Sequence, residues 1–234
     1  MSKENRFYPK FSYDEHARTC ASDDFLGQIR RTENGVPVSD EQIQMIVSAI
    51  KSGLDFSPED VLLELACGNG ALSQYLFNSC KDYLGVDLSE HLIAVAKENF
   101  EALPHYHFSV QGAAEYVRNE LRPEKFTKML CYAGFQYFPD EEAEEILSSI
   151  SKKFNNIQTI FIGNLPDKSR AEEFYKSRQP STEEISDGNT AIGIWRTREE
   201  FEQLAGKSGW NVKFSTMPTE FYASYYRYDA LLRR

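Results

Sequence analysis

Between residues 61 and 162, short apolar runs take turns with amphipathic stretches, and this rhythm predicts strand and helix in alternation. Val61-Leu62-Leu63-Glu64-Leu65 is a nearly continuous apolar run of strand length, suited to a strand covered on both faces. Residues 83–87, 106–110, 126–132 and 157–162 repeat the pattern. Helical periodicity fills the intervals at 71–78, after Ser89 (with Leu92, Ile93, Val95 and Ala96), at 113–120 and at 140–152. Upstream, Ser39 reads as an N-cap with Gln42 in the capping-box position, opening a helix with Ile43, Ile46, Val47 and Ile50 on one face and Gly53 at its end. Downstream, Thr197 and Glu200 form a second capping box, and 212–216 and 221–232 read as strands joined by a turn near Pro218. Five β–α units predict an α/β, Rossmann-like doubly wound sheet with helices on both faces. The last two strands lack a crossover and must form a terminal antiparallel strand pair, for seven strands in all.

Two stretches depart from this rhythm. Residues 1–38 carry Phe7, Tyr8, Phe11 and Tyr13 ahead of His16 and read as an N-terminal cap segment before a domain spanning 39–234. Residues 164–195 are polar, are broken by Pro166, Pro180, Gly188 and Gly193, and are long enough to predict a lid-like insertion.

Charge and composition narrow the function. The formal net charge is −10 and the basic residues are scattered, so a nucleic-acid partner is not expected. No apolar run approaches the ~20 residues that span a bilayer, and Met1 leads into no apolar signal region. The expectation is therefore a cytoplasmic protein without a membrane partner. The four cysteines form no CxxC pair and have no histidine at ligand spacing, so reduced thiols and no metal are expected.

The chemistry concentrates at Glu64-Leu65-Ala66-Cys67-Gly68-Asn69-Gly70, between a predicted strand and helix. Small residues at 66, 68 and 70 let backbone approach a ligand, and Glu64 sets a carboxylate under the loop. Asp87 ends the next strand, where a carboxylate can accept both hydroxyls of a ribose. A dinucleotide fingerprint would need a third glycine, but the corresponding positions hold Ser73 or Ala71, and Glu64 would repel a pyrophosphate.

This segment resembles the glycine-rich motif I of the class I S-adenosylmethionine-dependent methyltransferases, small-molecule type. The resemblance implies that 64–70 meets the methionine part of S-adenosylmethionine, with Glu64, Ala66, Cys67, Gly68 and Gly70 in contact. It implies that Asp87 and Leu88 hold the ribose, Ala113 and Ala114 lie beside adenine, and Cys131 and Tyr132 line the reactive end. Ala66 stands where the family has glycine, which requires a backbone angle outside the left-handed region.

Other candidates come from position and chemistry. His16 is a candidate general base, with Tyr132 as a second catalytic candidate. Tyr13 could face the sulfonium, and Arg31 could fork onto the cofactor carboxylate. Tyr8, Gln136, Asn164 and Arg196 are candidate substrate contacts. The expected activity is methyl transfer to an oxygen or nitrogen of a small polar acceptor, such as a sugar-linked or natural-product intermediate, with a homodimer as the assembly to test. The alternative is a catalytically silent S-adenosylmethionine-binding module serving a partner protein.

Overall fold

The computed structural model describes residues 10–176 and 178–234, and Tyr8 lies outside them. Its N-terminal part holds α1 (Lys10–Thr19), the short α2 (Phe25–Gln28) and a hairpin of β1 (Thr32–Glu33) and β2 (Val36–Pro37). The hairpin turns at Asn34 and Gly35, both with positive φ. Helix α3 (Asp40–Leu54) follows, then β3 (Val61–Leu65), a 3-10 helix (Ser73–Ser79), β4 (Asp82–Asp87), α4 (Glu90–Phe100), β5 (Tyr106–Val110) and α5 (Ala113–Asn119). Next come β6 (Lys128–Tyr132), α6 (Asp140–Lys153) and β7 (Thr159–Pro166). The short α7 (Ala171–Phe174) and α8 (Thr182–Ser186) precede α9 (Arg198–Gly206), β8 (Asn211–Ser215) and β9 (Arg227–Arg233).

The seven strands β3 to β9 form one sheet in the order β5-β4-β3-β6-β7-β9-β8. The pairs among β3 to β7 are parallel, whereas β9 runs antiparallel to both β7 and β8. This is the doubly wound sheet with a terminal antiparallel pair that the chain's rhythm predicts. The strand order reverses between β3 and β6, the position where such sheets open a crevice at their carboxyl ends.

Strand alternation sorts the core into two layers. Leu63, Leu65, Met129, Cys131, Ile160 and Ile162 face the layer built from α5, α6 and α9. Leu62, Leu130, Tyr132 and Phe161 face the other, filled by Ile46 and Ile50 of α3, Leu76 and Phe77 of the 3-10 helix and Ile93 of α4.

Several elements differ from the sequence expectation. The segment expected as a helix at 71–78 tightens into the 3-10 helix, with Ser73 turned inward onto Glu64. Strand β7 continues to Pro166, inside the region assigned to the insertion. Beyond it the insertion is folded rather than loose, with Ile194 N–H donating to Gln136 O at 2.7 Å and Trp195 N–H to Ile185 O at 2.8 Å. The last strand starts at Arg227 rather than 221, because 216–226 loops back over α3. Gln42 explains the loop: its side chain does not cap α3 but donates to Glu220 O and accepts from Tyr222 N–H. Ser39 makes no side-chain cap, while Ser89 and Thr197 cap α4 and α9 as expected.

Candidate active site

The bend after β3 is held by left-handed backbone. Ala66, Gly68 and Gly70 have φ of 57°, 59° and 77°. For Ala66 this corrects the expectation, since an L side chain in that region costs roughly 1–2 kcal/mol. The facing loop makes room for it: a Cβ on Gly134 would stand 2.3 Å from the Ala66 Cβ, so glycine at 134 lets the loops after β3 and β6 meet. Backbone strain of this kind is commonly retained where a site needs the geometry. Gly70 serves the core, because its missing Cβ leaves space for the Phe108 ring beneath the loop.

Asp87 ties this bend to the next strand. One carboxylate oxygen accepts from Gly68 N–H and the other from Ser89 N–H, both at 2.8 Å. The Leu88 amide also bonds to this carboxylate, so of its roughly four acceptor positions about one stays free. Burial raises the Asp87 pKa, while the Ser89 and Gly68 amides oppose that rise. Glu64 is buried beneath, accepting from the Ser73 and Tyr83 hydroxyls at 2.7 Å each. Burial outweighs those bonds and lifts its pKa to about 7.

The N-terminal segment forms the opposite wall. Asn69 is fully buried and donates to Phe25 O and Gln28 Oε1 at 2.8 and 3.0 Å, clamping α2 onto the motif loop. Asp14 accepts from the Ser89 hydroxyl, so α1 is tied to the start of α4. The Tyr13 and Tyr137 hydroxyls hydrogen-bond at 2.6 Å across the site. Arg31 lies over the Tyr132 ring at 4.9 Å, and its Nε and Nη1 are buried without a hydrogen-bond partner among the described residues.

These walls enclose a cleft of about 750 Å³ counted to its mouth. Of the sequence candidates, Tyr13, Arg31, Glu64, Ala66, Cys67, Gly68, Asp87 and Tyr132 line it. A second chamber of about 740 Å³ adjoins it, lined by Gln136 and Asn164 and sharing Tyr13, Ile29, Arg31, Ala133 and Tyr137 with the cleft. The Gln136 Oε1 and Asn164 Oδ1 atoms are buried and unpartnered among the described residues.

Other candidates lie elsewhere. His16 hydrogen-bonds the Gly27 carbonyl at 2.8 Å, linking α1 to α2, and lines neither cavity. Arg196 is buried with Nε and Nη2 on Asp140 Oδ1 and Nη2 also on Phe138 O, which anchors the start of α6. Cys131 points to the opposite face of the sheet from Tyr132, by strand alternation. Ala113 and Ala114 pack into the core layer around α5 and α6, and neither they, Leu88 nor Gly70 line the cleft.

Sequence reading missed the cleft's apolar contributors Ile29, Leu72 and Leu92, and also Tyr137. It also missed Arg227, although a charged residue opening the apolar strand Arg227–Arg233 was a visible signal.

Residues 62–155 match the family model described as a methyltransferase domain. Peramine synthetase from Metarhizium rileyi is 23% identical over 82% of this chain, which spans 6% of that protein. An uncharacterized methyltransferase from Schizosaccharomyces pombe is 26% identical over 44% of this chain and 38% of its own length. The chain thus spans well under half the length of these curated relatives. Magnesium protoporphyrin IX methyltransferase from Synechocystis, solved with S-adenosylhomocysteine bound, superposes with a TM-score of 0.61 at 15% identity, covering 96% of this chain and 94% of its own.

Proposed function

We propose that this chain, which by its fold and by the domain at 62–155 belongs with the class I S-adenosylmethionine-dependent methyltransferases, moves a methyl group from that cofactor to an oxygen or nitrogen of a small polar acceptor. The observation that carries the reading is one cleft at the strand-order reversal lined by two carboxylates, Glu64 and Asp87, and by the buried Arg31, whose Nε and Nη1 have no hydrogen-bond partner among the described residues.

Those charges fit an adenosyl amino acid. Buried guanidinium N–H groups without hydrogen-bond partners are costly, and an α-carboxylate would satisfy them as a two-point fork. Glu64 stands where an ammonium or sulfonium would offset its own burial. The acceptor position left free on Asp87 suits a ribose hydroxyl. The bound cofactor supplies an electrophilic methyl carbon on a sulfur that leaves as a neutral thioether. The protein's part is mainly alignment, which in well-oriented systems is worth roughly 7–11 kcal/mol. Among the described residues no histidine lines either cavity, which favours catalysis by positioning over an imidazole base. The N-terminal segment, through Tyr13, Ile29 and Arg31, closes the cofactor cleft, and the insertion, through Ala191 and Ile192, helps wall the acceptor chamber. The negative overall charge supports a small-molecule acceptor over nucleic acid.

Calorimetric titration with S-adenosylhomocysteine tests the cofactor assignment, and saturable one-to-one binding is expected. A folded sample that takes up none overturns it. Methyl transfer from labelled donor to a member of an acceptor panel separates an enzyme from a silent binding module.

A further inference from the structure

The chamber beside the cofactor cleft has a chemical character at odds with the rest of the molecule. The chain carries ten more acidic than basic charges, yet Arg30, Arg31 and Arg227 all line this chamber. Among the described residues no aspartate, glutamate or histidine lines it. Arg227 is 9% exposed and holds no ion pair among those residues; it donates to the Asn164 carbonyl and lies 4.7 Å over the Tyr226 ring. Arg30 lies 5.8 Å over the Tyr13 ring, likewise without a carboxylate partner among the described residues. Arg30 is exposed, whereas the buried Arg227 meets neutral hydrogen bonds and a ring face, with Asp229 acting on it through space and not as an ion pair, so that donors of its five-donor guanidinium remain for a ligand.

The remaining walls are aromatic. Tyr13, Tyr137, Phe174, Tyr222 and Tyr226 line the chamber. Phe174 and Tyr226 pack with centroids 4.6 Å apart and planes tilted by 40°, backed by Trp195. Rings of this kind hold a flat, largely apolar body, while the arginines and the open Gln136 and Asn164 oxygens hold its polar ends.

We infer that the acceptor is a small anion, a carboxylate or phosphate carried on a flat ring, and that Arg227 anchors its anionic group. The inference rests on the methyltransferase reading, because it assigns Arg31 to the cofactor and leaves Arg227 for the acceptor. Arg227 does not line the cofactor cleft, so its role is separable from cofactor binding.

The test titrates benzoate, phenyl phosphate and benzamide into protein saturated with S-adenosylhomocysteine, and again without it. At least one anion should bind about tenfold or more tightly than benzamide, as a charge-assisted contact gives. The tighter anion assigns carboxylate or phosphate. Arg227→Gln should cut the preference to about threefold or less with S-adenosylhomocysteine affinity unchanged, and Arg227→Lys, which keeps the charge but loses the planar fork, should fall between it and the wild type. Equal binding of benzamide and both anions, or binding of none, overturns the inference, as does a full preference surviving in Arg227→Gln. Should that variant fail to fold, the wild-type comparison decides alone. Failure to bind S-adenosylhomocysteine sinks the functional reading instead, and the anion preference measured without it still decides whether the chamber selects anions.

Discussion

Glu64 shows how burial sets a residue's behaviour. Its pKa of about 7 stands above the usual 4.5 because burial penalises the charged form. Between those two values the folded protein binds more protons than the unfolded chain, so ligand-free stability should fall as pH rises through that window. The loss is on the order of 3 kcal/mol, and Glu64→Gln should flatten it in denaturant melts across pH. A cationic ligand group beside Glu64 favours its ionised form. Cofactor binding near neutral pH should therefore release protons, seen as a dependence of the calorimetric heat on buffer ionisation enthalpy and absent in Glu64→Gln. At Asp87, replacement by Ala should weaken S-adenosylhomocysteine about 10- to 100-fold, the loss of charge-assisted hydrogen bonds. An unchanged affinity there would misplace the ribose. Arg196→Met should lower stability by roughly 1–3 kcal/mol, through the buried bonds it gives up, yet leave cofactor affinity alone.

At the scale of elements, what could be read from sequence and what could not divide along a physical line. Strands β3, β6 and β7 are buried on both faces and their apolar runs announce them, whereas the edge strand β5 buries only its central Phe108. The motif loop and Asp87 were legible because left-handed turns and strand-end carboxylates leave local signatures. Hidden were the contacts made by chain distant in sequence: Asn69 on Phe25 and Gln28, Tyr13 on Tyr137, Gln42 on Glu220 and Tyr222. Gln42 looked like a local cap because spacing cannot reveal a partner 178 residues away. Cys131 was credited to the cleft although period-two alternation sends only one of it and Tyr132 there. Asn69→Ala tests how the N-terminal wall is held. Losing its two bonds to α2 and the one it accepts from Ala71 N–H should cost roughly 1–3 kcal/mol and loosen S-adenosylhomocysteine binding, because α2 leads directly to Ile29 and Arg31. Wild-type affinity in a destabilised variant would show that this clamp serves folding alone.

Across the whole molecule, two cavities meet at the reversal of strand order, sharing Arg31 and differing in their carboxylates. The cofactor cleft offers two carboxylates, and the chamber offers arginines without them. A net charge of −10 surrounds both. Such a surface should not retain a generic RNA oligonucleotide at physiological salt, where non-specific affinity depends on clustered cations. A gel-shift titration showing tight binding at ~0.15 M salt would contradict that expectation.

The two tryptophans sit in different layers of the core. Trp195 leans on Phe174 and Tyr226, both in the chamber wall. Trp210 is buried in the layer across the sheet, donating to Leu147 O beneath Arg234. Nature has thereby installed two separate lamps: with Trp210 replaced by Phe, the remaining glow follows events at the chamber wall, and with Trp195 replaced it reports collapse or melting of the far side.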